Sequence, residues 1–210
     1  MAVSEVYNED CMLGMARYPD KYFDLAIVDP PYGAGNIKNC TQNKYRTYIN
    51  EMPKKEYWDE LFRVSKNQIV CGGNYFANLL PASRGWICWD KKQPNPKYAD
   101  GEMLWTSFDI NTKFFRYMTT NVIEGSTNIS NGSKLPNIHP TQKPKALYKW
   151  ILKNYAKEND KILDTHLGSQ SSRIACYDTG FDFVGFELDT EYFEKGNKRF
   201  EEFKSQLKLF

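Results

Sequence analysis

Three short apolar runs in this chain of 210 residues each end in an acid. Residues 25–28 run into Asp29, residues 161–163 into Asp164, and residues 183–186 into Glu187. Runs of this length suit buried strands, and stretches of helical length and periodicity lie between them. Strands alternating with helices form a mostly parallel sheet covered by helices on both faces. Such sheets bind ligands at the carboxyl ends of their strands. An acid at each strand end therefore sets a row of carboxylates along the edge where a ligand arrives.

After Asp29 the chain reads PPYG. Pro30 and Pro31 lack N–H donors and fix φ, so the strand stops and a rigid turn carries Tyr32. Further strands are expected over residues 6–11, ending at Asp10, and at QIVC (68–71) and WICW (86–89). Residues 105–117 supply one or two more. Helices are expected over 12–18, 54–65, 173–177 and 190–206, with one or two turns at 75–80. Another starts at Pro144, with Leu147, Trp150, Ile151 and Tyr155 on one face. The polar stretch 33–55 is too long for a neutral linker and is expected to be a functional loop. Residues 119–138 read as a variable loop, with a tight turn at Asn131-Gly132.

The length suits one domain spanning 1–210, with 111–138 as a short variable region inside it. No apolar stretch approaches membrane-spanning length, and the acidic N-terminus has no signal-peptide character, which predicts a cytoplasmic protein without a membrane partner. Five cysteines, with no C-x-x-C pair, predict reduced thiols and no metal site. The formal net charge of +2 hides a strong asymmetry. Residues 111–157 hold eight Lys/Arg against one acid, Glu124, whereas the flanking segments are net acidic. A basic segment of this kind either faces a polyanion or solubilises a helix and loop.

The stretch from 161 to 189 adds a cofactor signal. A strand ends in Asp164, the glycine- and serine-rich turn LGSQSS leads into a helix, and Glu187 follows 23 residues after Asp164. Backbone N–H groups at such a turn, with a carboxylate one βα unit later for ribose hydroxyls, outline a nucleoside-cofactor pocket.

Taken in order, the motifs resemble those of the DNA amino-methyltransferases that use S-adenosylmethionine, in particular the circularly permuted β-group. These are Asp10, then Asp29-Pro30-Pro31-Tyr32, the basic region, Thr141-Gln142-Lys143-Pro144, the loop 164–171 and Glu187. The resemblance implies a Rossmann-like class I methyltransferase with a seven-stranded, mostly parallel sheet and permuted motif order. It implies methyl transfer from S-adenosylmethionine to adenine N6 in DNA. Asp29, Pro30, Pro31 and Tyr32 would be the catalytic group. Asp29 and the Pro30 carbonyl would hold the amine, and Tyr32 would stack on the extruded base.

Asp10 and Cys11 would meet the cofactor's adenine and Glu187 its ribose. Asp29, Asp164, His166, Gly168, Ser169, Ser171, Thr141, Gln142 and Lys143 would surround the rest. DNA would be the partner, with Lys113, Arg116, Lys134, Lys145 and Lys149 on its phosphates, and a homodimer is admitted. A bacterial host origin and a phage origin are both open. Cytosine N4 transfer and a catalytically silent DNA- or cofactor-binding module are the alternatives. The chain departs from the family pattern at Thr165 and His166, which replace Pro-Phe, and at Gln170, which replaces the second glycine. The two histidines, His139 and His166, are expected to pack or shape loops rather than act as catalysts.

Overall fold

A computed structural model describes residues 2–33, 51–92, 99–118, 138–139 and 141–207. The expected turn at Asn131-Gly132, Lys134, and most of the two polar loops lie outside the described residues. The described strands are β1 (Ser4–Tyr7), β2 (Phe23–Val28), β3 (Ser65–Cys71), β4 (Trp86–Asp90), β5 (Gly101–Thr106), β6 (Lys113–Arg116), β7 (Lys161–Asp164) and β8 (Asp182–Phe186). Helices are α1 (Cys11–Met15), α2 (Lys55–Val64), α3 (Lys145–Tyr155), α4 (Ser171–Thr179) and α5 (Thr190–Leu207).

The strands form one sheet in the order β1-β8-β7-β2-β3-β5-β4-β6. Only β5 runs against the rest among these strands. It follows β4 without an intervening described helix, and a direct return of the chain pairs antiparallel. Eight strands replace the expected seven because the segment through residue 117 divides into β5, which begins earlier at Gly101, and β6.

Period-two alternation splits the core between the two faces of the sheet. Leu25, Ile27, Ile69 and Cys71 pack under α3 and α4, against Leu147, Ile151, Ala175 and Cys176. Ala26, Val28 and Val70 pack on the other face, against Met15 of α1 and Trp58 and Leu61 of α2. The apolar face expected for residues 54–65 is thus a core face.

The first strand lies earlier than expected. Asp10 does not end it; its carboxylate accepts from Met12 N at 2.8 Å and caps α1. Asn8 ties the end of β1 to the end of β8. Its Nδ2 donates to the Glu187 carbonyl at 2.8 Å. Pro144 sits one residue outside α3, as its N-cap, with an extended backbone.

The connections reverse between β7 and β2. From β2 the chain moves to β3 on one side, and from β7 it moves to β8 on the other. Asp29 and Asp164 therefore meet at a topological switch point, the place where open α/β sheets open a crevice.

Close packing holds this edge in place. A Cβ on Gly14 of α1 would stand 2.3 Å from the ring of Phe186, which is fully buried. Gly14→Ala is therefore expected to destabilise the fold by about 1–3 kcal/mol. Calorimetry should show a fall in Tm of roughly 3–10 °C.

Candidate functional site

The carboxyl edges of β1, β8, β7 and β2 border a cavity of about 550 Å³. Asp10, Cys11 and Glu187 line one end, and Asp29, Pro30, Pro31, Tyr32 and Lys143 line the other. His166, Gly168, Ser169, Thr141 and Gln142 also line the cavity. Among the described residues, no group of His, Cys, Asp and Glu is arranged to hold a metal, and no helix is long and apolar enough to cross a membrane.

The strongest electrostatic feature is a buried charge cluster. Lys143 Nζ donates to Asp29 Oδ2 at 2.6 Å and to Tyr32 Oη at 3.0 Å. Tyr32 Oη donates to the other Asp29 oxygen at 2.7 Å. Burial alone would push the Lys143 ammonium down, but the carboxylates of Asp29 and Glu102 outweigh it and hold the group well above its ordinary value. Burial and the neighbouring Asp29 charge push the Tyr32 phenol up, so it serves as a neutral donor. The Tyr32 ring stacks on Tyr75, with centroids 4.7 Å apart. It also lies close over Gly72, where a Cβ would be 2.4 Å from the ring. Gly72 has φ +65°, so both its backbone and its missing side chain are required.

Glu102 completes the cluster. Its carboxylate lies 3.5 Å from Lys143 Nζ and accepts from Lys91 at 2.5 Å. Burial would raise this carboxyl, but the two lysines keep it below the usual carboxylate range. The rule that acids matter at the ends of strands overlooks Glu102. It stands near the start of β5, and because β5 runs antiparallel, its start lies on the ligand edge. The paired reversal from β4 to β5 was the signal that could have revealed it.

The loop after β7 is held from behind. Asp164 is buried outside the cavity lining and accepts from His166 N at 3.0 Å and Ser172 Oγ at 2.5 Å. Burial pushes its carboxyl up to about 7. Ser171 also lies behind the lining, bonded to Ser169 Oγ and Arg199. Glu187, by contrast, lines the cavity. It accepts from Gly168 N at 2.7 Å and from Asp189 N at 2.9 Å, and burial raises its carboxyl.

The two departures at 165 and 166 form a chain. Tyr57 Oη and Thr165 Oγ1 are 2.7 Å apart, and Thr165 Oγ1 and His166 Nδ1 are 2.9 Å apart. Burial lowers both histidines to about 4, so both imidazoles are neutral near pH 7. His166 is thus bonded within the loop, and the His139 ring stands 4.5 Å from the Tyr192 ring.

Gln170 has a left-handed backbone, with φ +58°, a conformation that glycine adopts freely. Its side chain turns away from the cavity towards α5. There Nε2 donates to the Phe193 carbonyl and to Asn197, and Oε1 accepts from Arg173 at 2.8 Å. Gly196 makes the space, since a Cβ there would stand 2.6 Å from Gln170.

The expected phosphate-binding residues are scattered. Arg116 is exposed at the carboxyl end of β6, on the same sheet edge as the cavity, 3.8 Å from Asp90. Lys113 occupies the opposite end of that strand, 5.7 Å from the Tyr155 ring. Lys145 lies over the Phe203 ring, and Lys149 pairs with Asp178 of α4.

The family model described as DNA methylase matches residues 84–198, more than half of the chain. This chain belongs to the DNA methylase family. The type II methyltransferase M.HpaI of Haemophilus parainfluenzae is 27% identical, over 84% of this chain and 67% of its own length. The type II methyltransferase M2.MboI of Moraxella bovis is 21% identical, over 97% of this chain and 89% of its own. In three dimensions the methylase is similar to M1.HpyAVI in a complex with SAM, with a TM-score of 0.62, 20% identity, and coverage of 94% and 98% of the two chains. It is also similar to the cytosine-N4-specific PvuII DNA methyltransferase, with a TM-score of 0.65, 13% identity, and coverage of 97% and 92%. These likenesses agree with the expected class I methyltransferase fold.

The Gln170 geometry has a measurable consequence for the methylase. Gln170→Ala keeps the unfavourable left-handed backbone and removes every side-chain bond, for a loss of about 2–3 kcal/mol. Gln170→Gly loses the same bonds but accepts positive φ freely, so it should be less damaging by about 1 kcal/mol. Urea unfolding of the pair tests this order.

Proposed function

We propose that this DNA methylase transfers a methyl group from S-adenosylmethionine to the N6 amino group of adenine in DNA, with the base turned out of the duplex into the cavity. The observation that carries this reading is Asp29, whose two oxygens accept from two donors beside Pro30 at the switch-point crevice. An exocyclic amine carries the same kind of donor. Its lone pair is delocalised into the ring, and two fixed acceptors, the Asp29 carboxylate and the Pro30 carbonyl, would turn it towards a more tetrahedral and nucleophilic geometry. The rigid double proline keeps these acceptors in place. Tyr32, backed by Tyr75, offers an aromatic surface for the extruded base.

The cavity fits the cofactor in size and donor set. Its volume lies within the range of roughly 300–1,000 Å³ usual for small-molecule sites. Glu187 is in position to accept ribose hydroxyls while it braces Gly168. By the order of motifs, Asp10 and Cys11 would meet the cofactor's adenine and residues 141–143 its methionine end, and all of them line the cavity. The bound cofactor supplies an electrophilic methyl on a sulfonium. Asp164 and Ser171 act on this end only through the loop that they hold. Arg116, exposed on the ligand edge, is the strongest of the candidate phosphate contacts, and the basic character of 111–157 supports DNA along that side.

Asp29→Asn keeps the shape of the side chain but removes the charge that orients the amine. It should lower methyl transfer to DNA from labelled cofactor by roughly 10²–10³-fold or more. Mass spectrometry of the nucleosides should show N6-methyladenine. N4-methylcytosine instead would overturn the choice of base, and wild-type turnover by the variant would overturn the role of Asp29.

Glu187→Ala should weaken cofactor binding at least tenfold, about 1.4 kcal/mol, with a smaller effect on kcat at saturating cofactor. Calorimetric titration measures the first and initial rates the second. Unchanged affinity would remove Glu187 from the cofactor pocket.

A further inference from the structure

Lys143 stands between two carboxylates and bonds fully to only one. Its Nζ is 2.6 Å from Asp29 Oδ2 but 3.5 Å from Glu102 Oε2. Lys91 holds the other Glu102 oxygen at 2.5 Å. Among the described residues, Glu102 Oε2 is buried and receives no hydrogen bond. A buried acceptor without a donor is unfavourable and calls for an explanation.

Asp29 has the opposite condition, because each of its oxygens already accepts a hydrogen bond. An amine that bonds Asp29 shares its oxygens with Tyr32 and Lys143, and it gains the strongest acceptor where one of these donors moves away. Tyr32 is fixed by its stack on Tyr75 and its contact over Gly72. Lys143 has a second acceptor within reach, since a shift of about 1 Å or less brings Nζ to charge-assisted hydrogen-bond distance of Glu102.

We infer that Glu102 is a second seat for Lys143, which the ammonium takes when the target amine bonds Asp29. Glu102 is then a positioning residue that acts on the amine through Lys143 and Asp29. This rests on the reading of Asp29 as the acceptor of the amine. The ammonium keeps its proton in both seats, so no charge is created or lost. The exchange opens Asp29 without leaving a buried cation unpaired, which would be strongly unfavourable. It also gives the orphan oxygen of Glu102 its donor.

A crystal structure of Asp29→Asn tests the seat without any need for activity. Lys143 Nζ is expected within about 3.0 Å of Glu102 Oε2, the usual limit for such a bond. An Nζ that stays on residue 29, with the 3.5 Å gap to Glu102 unchanged, overturns the inference. Methyl transfer to DNA by Glu102→Gln, Lys143→Met and the double variant tests its use. Glu102→Gln should lower kcat/KM for DNA about tenfold or more when Lys143 is present, but less than about twofold in the Lys143→Met background. Cofactor affinity, measured by calorimetry, should change less than about twofold in Glu102→Gln. Equal losses in both backgrounds would mean that Glu102 only braces β5 through Lys91, and would overturn the positioning role. A wild-type protein that moves no label to DNA overturns the methyl-transfer reading instead, and the Asp29→Asn structure then decides the second seat alone.

Discussion

The ligand edge of this protein is organised by one buried ion pair, Lys143 on Asp29. The two residues are 114 positions apart in the chain, and the lysine is buried. A cation in that position must be paired, and removing one partner of such a pair typically costs about 3–5 kcal/mol. The pair therefore pins the approach to α3 against the end of β2. The antiparallel direction of β5 brings Glu102 to the same edge. The stack of Tyr32 on Tyr75, over Gly72, keeps the acceptors of Asp29 aimed into the cavity.

The acids that follow the strands divide their work according to burial. Asp164 is sealed behind the loop, where its oxygens bond His166 N and Ser172. Its carboxyl is pushed up to about 7, because the charge has little solvent to stabilise it. Glu187 braces the same loop through Gly168 yet also lines the cavity. One carboxylate shapes the pocket, and the other shares that task while facing whatever the pocket holds. The chain around Thr165 fits this arrangement, since it links the loop to Tyr57 of α2, across the core on the other face.

Much of this was legible in advance. Buried strands announce themselves through short apolar runs, and β2, β3, β4, β7 and β8 all lie where those runs predict. Prolines 30 and 31 end a strand whatever surrounds them, because a missing N–H and a fixed φ are local properties. The order of motifs alone resembles that of the DNA amino-methyltransferases, and the chain belongs to the DNA methylase family. β1 ends at Tyr7 rather than at Asp10, because Asp10 suits a strand end and a helix cap equally well and here caps α1.

Local chemistry thus marked most strand ends, many of the residues that border the crevice, and the class of reaction they suit. Tertiary structure decided what each polar group bonds. Nothing local says that Lys143 meets Asp29 rather than solvent, or that Lys149 is paired with Asp178 of a neighbouring helix. Nothing local turns Gln170 away from the cavity; the space for it is made by Gly196, on another element. These outcomes depend on strand direction, on helix packing and on which groups share a buried volume. Charges and hydrogen bonds act over a few ångströms of space, and residues far apart in sequence supply their partners.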